Sequence, residues 1–102
     1  MSWRVVWTNN AISGLREMAL FQDEIEPGRG AVLVDSIFDK MGLMVEFPES
    51  APRHPRAEDP RIRRLVFGRY VLVYRVIKET RVLQVLAVRH HRQRSIKLDE
   101  LP

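Results

Sequence analysis

Basic side chains at regular spacing are the residues of this sequence best suited to chemistry. Arg61, Arg63 and Arg64 stand in one stretch, and Arg75 lies within an otherwise apolar segment. On a strand, Arg61 and Arg63 would share one face and Arg64 would point to the other. Arginines two residues apart can bind successive phosphates or carboxylates, but charges of this kind also protect an edge strand from aggregation. The stretch predicts either an anion-binding face or a charged sheet edge.

A second basic stretch, near the carboxyl end, contains adjacent histidines. His90 and His91 are preceded by Arg89 and followed by Arg92 and Arg94. Histidine suits proton transfer because its unperturbed pKa lies near neutrality. RNA cleavage by a 2′-hydroxyl needs a base, an acid and groups that stabilise phosphate charge. The stretch supplies candidates for these groups, and the alternative interpretation is a solvated patch.

Charge is unevenly distributed over the 102 residues. The net charge is +4, from 17 basic and 13 acidic residues. Residues 1–50 carry four basic and eight acidic residues, a net of −4, whereas residues 51–102 carry thirteen and five, a net of +8. This asymmetry predicts a basic surface built by the second half, suited to nucleic acid or to an acidic protein segment. The alternative is a bias toward arginine on a solvated surface.

The composition excludes several classes of protein. The chain has no cysteine, which rules out disulfide scaffolds and thiolate metal sites and favours a reducing compartment. Three histidines make at most a weak metal site, and there is no glycine-rich phosphate loop or serine nucleophile elbow. The sequence has no apolar run long enough to span a membrane, and its first residues lead us to expect no signal peptide. We expect one cytoplasmic domain over residues 1–102, without metal, cofactor or membrane contact.

Periodicity divides the first half into one strand and two helices. Residues 3–8 alternate in hydrophobicity and predict a strand, and the polar residues 8–10 offer N-cap chemistry for a helix. Apolar residues then follow helical spacing until proline and two glycines break the pattern over residues 24–30. A second apolar stripe over residues 33–45 predicts another helix. The two helices are expected to form an antiparallel hairpin.

The second half predicts a sheet. Four prolines make residues 47–60 a loop, after which apolar residues alternate along 62–67, 70–77 and 81–88. We predict a two-layer α+β domain of order β-α-α-β-β-β, an antiparallel sheet meander that closes on the first strand, with the α-helical hairpin packed on one face. The other face is expected to be left to water or to a binding partner.

The same pattern predicts where one arginine points. Tyr70 and Tyr74 alternate with apolar residues and are expected to face the helices. Arg75 would then lie on the open face, beside Arg61 or Arg63. A charge inside an apolar strand must be paired, solvated or functional.

Three stretches, in this order, resemble the RelE/ParE family of toxins. Residues 5–8 (VVWT), with Ala11 and Leu15, are similar to the family's opening. Residues 63–76 (RRLVFGRYVLVYRV) resemble its central block, and residues 81–92 (RVLQVLAVRHHR) resemble its last strand and ending. The resemblance covers about residues 3–94 and leaves 95–102 as a tail.

The resemblance implies the toxin of a type II toxin–antitoxin pair, which inhibits bacterial growth until a cognate antitoxin neutralises it. RelE-like members cut mRNA in the ribosomal A site with basic residues on the sheet and a C-terminal histidine or tyrosine, whereas ParE-like members poison DNA gyrase. The nuclease pattern would give catalytic roles to Arg63 or Arg61, to Arg75 and to His91. Further basic residues are expected to bind the target: Arg61, Arg64, Arg89, His90, Arg92 and Arg94.

The sequence departs from the nuclease pattern at two points. Arg92 stands where several nucleases carry tyrosine, and no lysine pair precedes the sheet arginines. Residues 68–76 (GRYVLVYRV) are closer to ParE-like members. We therefore expect a protein that acts by binding DNA gyrase. A ribosome-dependent mRNA endoribonuclease is the alternative, and a non-toxic nucleic-acid-binding module is the second alternative.

Overall fold

A computed structural model of the chain describes residues 2–91, which form two helices and a four-stranded sheet. The elements are β1 (Arg4–Trp7), α1 (Asn9–Ile25), α2 (Arg29–Met44), β2 (Ile62–Phe67), β3 (Tyr70–Ile77) and β4 (Val82–His90). This order and the two-layer α+β fold confirm the prediction. Within residues 2–91, neither helix is long and apolar enough to cross a bilayer.

The strands lie in the order β1-β4-β3-β2. β2, β3 and β4 form the predicted antiparallel meander, but β1 pairs with β4 in parallel, so the sheet is mixed. β1 and β2 therefore run in the same direction at opposite edges. Such an arrangement needs a long connection, and the two helices with the segment after them provide it.

Local polar contacts set where the helices begin. The Thr8 hydroxyl caps α1 by accepting from the N–H of Ala11 at 3.2 Å. α2 begins at Arg29, earlier than its apolar stripe predicts, because Asp23 of α1 accepts from the N–H groups of Gly28 and Gly30. One carboxylate on α1 thus satisfies donors at the start of α2.

The helical hairpin packs on one face of the sheet, here called the helix face. α1 approaches β4 so closely that a Cβ on Gly14 would lie 2.5 Å from the carbonyl oxygen of Val88. A residue without a side chain is therefore needed at this contact. The buried residues of this layer form the main core: Ala11, Leu15, Met18, Leu33, Ile37, Met41, Met44, Ala51, Leu72, Tyr74, Val76, Leu83, Val85 and Val88.

The segment between α2 and β2, residues 45–61, wraps around the β2 edge and is here called the crossover loop. Ala51, in its first part, is buried in the main core on the helix face. Ala57, in its last part, packs on the opposite face, here called the loop face, over a second small core of Ile62, Val71, Val73, Leu86 and Ala87. The expectation that this whole face is open is therefore wrong over its centre.

The middle of the crossover loop pairs with the edge strand. The N–H of His54 donates to the carbonyl of Ile62, and the N–H of Arg64 donates to the carbonyl of Pro52, both at 2.9 Å. These bonds protect much of the β2 edge from pairing with another chain. They also bring His54 over the strands.

Candidate functional site

The residues expected to form a nuclease site do not lie together. Arg63 is opposite Tyr74 and belongs to the helix face, whereas Arg75 is opposite Gln84 and belongs to the loop face. His91 follows the end of β4, seven residues after Gln84 and so roughly 23 Å further along the strand direction. A single scissile phosphate cannot contact all three side chains in this arrangement.

Arg63 fastens the crossover loop to the sheet. Its Nη2 lies 3.0 Å from Glu49 Oε2, and its Nη1 donates to the carbonyl of Ala51 at 3.1 Å. Lys78 Nζ approaches the other oxygen of Glu49 at 3.0 Å. The hydrogen bond from Lys78 is the first cause that holds the pKa of Glu49 below its ordinary value. The charge of Arg63 is thus matched by a carboxylate of the chain itself.

Arg61 and Arg75 share a second carboxylate. Asp59 Oδ2 lies 2.9 Å from Arg61 Nη2 and 3.2 Å from Arg75 Nε, and Arg75 Nη1 donates to Gln84 Oε1 at 2.7 Å. The hydrogen bond from Arg61 is the main cause that lowers the pKa of Asp59 to about 2. Arg75 therefore lies beside Arg61, as expected, and Asp59 bridges the two side chains. Arg63 lies on the other face.

The first ion-pair group and Arg61 of the second line one shallow cavity of about 220 Å³. Its lining carries both signs of charge, from Glu49, Arg53, Arg61, Arg63, Lys78 and Glu79. Because carboxylates already pair with Arg61, Arg63 and Lys78, the cavity offers less attraction to an outside anion than its number of cations implies.

A third group of basic residues lies on the loop face and is here called the arginine cluster: Arg56, Arg64 and Arg89 around His54. Both His54 and Arg89 are only 8% exposed. His54 Nδ1 accepts from the N–H of Arg56 at 3.2 Å, which leaves the imidazole proton for Nε2. Burial, followed by the charges of the three arginines, holds the pKa of His54 below its ordinary value. His54 is therefore a neutral hydrogen-bond donor among three cations.

The two adjacent histidines have different surroundings. The ring of His90 stands edge-on to the ring of Tyr70, with 5.7 Å between centroids, on the helix face. His91 is exposed, and its N–H donates to the carbonyl of Arg69 at 2.8 Å. Arg92 and Arg94 lie outside the described residues. Within residues 2–91, no three side chains of His, Asp or Glu are grouped so that they could hold a metal ion.

Sequence reasoning missed Lys78, Gln84 and four further residues of these groups: Glu49, His54, Arg56 and Asp59. All four belong to the crossover loop, which the sequence marks only by its prolines. Their roles depend on how the loop wraps around β2, and that path leaves no periodic signal. The sequence gives one indication of these roles. Glu49 and Asp59 are carboxylates in the loop before β2, and basic residues on the strands can pair with such carboxylates.

Three solved structures have a similar fold. A chain of the RelBE2 toxin–antitoxin complex from Mycobacterium tuberculosis is 22% identical, with 88% of this chain and 99% of that chain covered and a TM-score of 0.64. A chain of the chromosomal ParDE system of P. aeruginosa is 18% identical, with 87% and 96% covered and a TM-score of 0.70. A mutant of E. coli toxin RelE in the free state is 20% identical, with 90% and 86% covered and a TM-score of 0.67. At these identities the likeness concerns the fold.

A family model extends the likeness to the sequence. Residues 5–95 match the model described as ParE toxin of type II toxin–antitoxin system, parDE. No curated protein matches the chain significantly. The family match spans nearly the whole chain, confirms the resemblance of its motifs to RelE/ParE toxins, and shows that the chain belongs to the ParE toxin family of type II toxin–antitoxin systems.

Proposed function

We propose that this toxin inhibits bacterial growth by binding DNA gyrase in the cytoplasm, without cutting nucleic acid itself, and that a cognate antitoxin neutralises it. Its membership of the ParE family supports the choice of gyrase, since ParE-like members are the gyrase poisons of the superfamily. The proposal treats the toxin as a binding protein rather than an enzyme.

The observation that best supports this proposal is the separation of Arg63, Arg75 and His91. General acid–base catalysis requires its groups within hydrogen-bond reach of the reacting atoms. Arg63 and Arg75 lie on opposite faces, and each already contacts a carboxylate of the crossover loop. A RelE-like endoribonuclease reaction would need at least one of these ion pairs to break and the sheet to bring distant side chains together.

The antitoxin part of the proposal rests on charge and on the relatives. The second half of the chain carries a net charge of +8, which favours an acidic partner segment. The M. tuberculosis relative was solved as a toxin–antitoxin complex, and the P. aeruginosa relative belongs to a ParDE system. We expect a partly apolar, acidic antitoxin segment whose carboxylates pair with arginines and whose apolar side chains set the lifetime of the complex.

Readouts in induced cells and one assay with purified proteins test the proposed target. Expression without antitoxin should stop growth, induce the DNA-damage response and leave mRNA intact, and the purified toxin should inhibit DNA supercoiling by purified gyrase. Primer extension on abundant transcripts measures mRNA cleavage in the same samples. Codon-phased cuts that require ribosomes, together with unimpaired supercoiling, would show that the toxin is RelE-like.

His91→Ala and Arg75→Gln separate the two mechanisms further. On the proposed mechanism, His91→Ala keeps the arrest of growth because no proton transfer is involved. On the nuclease alternative, both changes abolish cleavage and toxicity together. Soluble toxin that does not affect growth, supercoiling or mRNA would instead favour a non-toxic nucleic-acid-binding module.

A further inference from the structure

His54 is buried at the point where the crossover loop pairs with β2. Its N–H donates to the carbonyl of Ile62, and the carbonyl of Pro52 accepts from the N–H of Arg64, both at 2.9 Å. These two hydrogen bonds attach the middle of the loop to the edge of the sheet. Any change at the His54 side chain therefore acts directly on the segment that covers this edge.

The imidazole of His54 also closes the next turn of the loop. Its Nδ1 accepts from the N–H of Arg56 at 3.2 Å, and the carbonyl of His54 accepts from the N–H of Ala57 at 3.2 Å. An imidazolium carries a proton on both nitrogens and cannot accept a hydrogen bond. Protonation of His54 therefore removes the acceptor of the Arg56 N–H and sets two donors against each other.

Within residues 2–91, the charged groups that act on the imidazole are all cations. They come from the crossover loop, from β2 and from β4: Arg56, Arg64 and Arg89. The arginine that β3 presents on this face, Arg75, is bound to Asp59. Among the same residues, no carboxylate forms an ion pair with His54. A proton added to the buried ring is therefore poorly compensated.

Acid should favour a state in which the imidazole reaches water. Burial first, and then the arginine charges, hold the pKa of His54 in the folded toxin below its ordinary value. An imidazole in water has a pKa near 6.5. As the pH falls through about 6.5, the released loop takes up a proton before the closed loop does, so the equilibrium moves toward release. Near pH 7 and above, both states are mostly neutral and the loop stays closed.

The two ends of the crossover loop do not respond in this range of pH. Glu49 is paired with Arg63 and Lys78, and Asp59 is paired with Arg61 and Arg75. The pKa of Glu49 lies below its ordinary value because of the hydrogen bond from Lys78, and that of Asp59 is about 2. Both carboxylates therefore stay ionised at pH 5.5, and only the segment between them is open to change.

We propose that protonation of His54 releases residues 52–57 of the crossover loop from the β2 edge. The two edge hydrogen bonds break together, and the second core loses its contact with Ala57. The main core lies on the other face and keeps its packing, so the release is a local opening and not unfolding. The uncovered part of β2 is then free to pair with another chain. The release does not depend on which target the toxin binds.

Native-state hydrogen exchange followed by NMR at about pH 7 and about pH 5.5 tests the release. The protection factor compares each amide with its exchange rate in an unstructured chain at the same pH. The N–H groups of His54 and Arg64 should lose more than about twofold in protection, with about tenfold per pH unit as the limit for one proton. The N–H of Thr8, which donates to the carbonyl of Val85 at the opposite edge of the sheet, is the internal control and should keep its protection.

His54→Asn is the matched variant, because asparagine can accept from the N–H of Arg56 but does not titrate. Its Arg64 N–H should have the same protection at both pH values. His91→Gln removes an exposed histidine outside the arginine cluster and should behave like the native toxin.

The native toxin alone can overturn the proposal, whether or not either variant folds. Equal protection of the His54 and Arg64 amides at the two pH values would show that the loop is not released. An equal loss at Thr8 would show that acid unfolds the whole sheet. A loss that persists in folded His54→Asn, or that disappears in His91→Gln, would show that another group controls the loop.

Discussion

Asp59 Oδ2 lies 3.2 Å from Arg75 Nε, a contact that joins the end of the crossover loop to the central strand β3. The Oδ1 atom of the same carboxylate accepts hydrogen bonds from Arg61 Nε at 3.0 Å and from the backbone N–H of Arg61 at 2.9 Å. One side chain therefore fixes the point at which the loop leaves the loop face and enters β2. The strength of the hydrogen bonds that Asp59 accepts determines how firmly the loop covers the second core.

Asp59→Asn should lower the free energy of unfolding at pH 7 by about 1 kcal/mol, because the amide keeps the size of the side chain but loses its ionic hydrogen bonds. The pKa of Asp59 is lowered to about 2 from 3.8, so the carboxylate's contribution to stability is complete above about pH 4. It is lost as the pH falls toward 2. Urea unfolding at several pH values in this range should show a loss of stability in the native toxin that is smaller in the variant. Glu58→Gln, at the neighbouring exposed residue, is the control. If it lowers the free energy of unfolding as much as Asp59→Asn does, the hydrogen bonds of Asp59 are not the cause of the loss.

His54→Asn should make the stability of the toxin less dependent on pH between about 5 and 7. Burial and the neighbouring Arg56, Arg64 and Arg89 lower the pKa of His54 in the folded state. The unfolded chain therefore takes up a proton first as the pH falls through about 6.5, and folding stability decreases. Asparagine keeps an acceptor for the N–H of Arg56, as in an Asx turn, but does not titrate.

Thermal unfolding at a series of pH values measures this effect. His91→Gln is the matched control, since it removes an exposed histidine outside the arginine cluster and should retain the pH dependence. If His54→Asn keeps the native pH profile while His91→Gln flattens it, the buried imidazole is not the titrating group.

How much could be predicted from the sequence depends on whether a feature is local. Alternation along residues 62–67 and 70–77 predicted β2 and β3 with their bounds, and Thr8 predicted the start of α1. The same alternation predicts that Arg64 and Arg63 lie on opposite faces of the sheet. It also predicts that Arg75 lies on the face opposite to Tyr70 and Tyr74, and the register confirms both predictions. These features need only the neighbours along the chain.

Features that depend on distant pairing could not be derived in this way. Period-two patterns do not tell which strand β1 joins or in which direction, and its parallel pairing with β4 follows from the path of the whole chain. Arg61 was grouped with Arg63 by alternation, but it precedes β2 and turns to Asp59. The arginine cluster needed the wrapped path of residues 45–61, which has no repeating pattern to reveal it.

Gly14→Ala and Gly42→Ala should change stability in opposite directions, although both residues are inside helices. A Cβ at position 14 would collide with the carbonyl oxygen of Val88, so α1 must move away from β4. We expect a loss of about 1–3 kcal/mol, the usual cost of overpacking. A Cβ at position 42 meets nothing within 4 Å, and alanine there should add about 0.5–1 kcal/mol through its helix propensity. Urea unfolding of both variants checks the pair, and a Gly14→Ala variant as stable as the native toxin would contradict the close approach of α1.

Arg63→Gln and Arg64→Gln provide the sharpest comparison, because adjacent arginines on opposite faces should respond with opposite sign. Arg63→Gln removes the donor to the carbonyl of Ala51 and leaves Glu49 paired with Lys78 alone, and should cost about 1–3 kcal/mol of unfolding free energy. Arg64→Gln removes a positive charge from beside Arg89 and His54, and should leave stability unchanged or raise it by about 0.5 kcal/mol.

Urea unfolding of both variants measures this difference. Arg63 makes an ion pair that holds the crossover loop, whereas Arg64 lies among like charges around His54, so only Arg63→Gln removes a stabilising ion pair. If Arg64→Gln destabilises the fold as much as Arg63→Gln does, Arg64 is a part of the scaffold and not a source of repulsion.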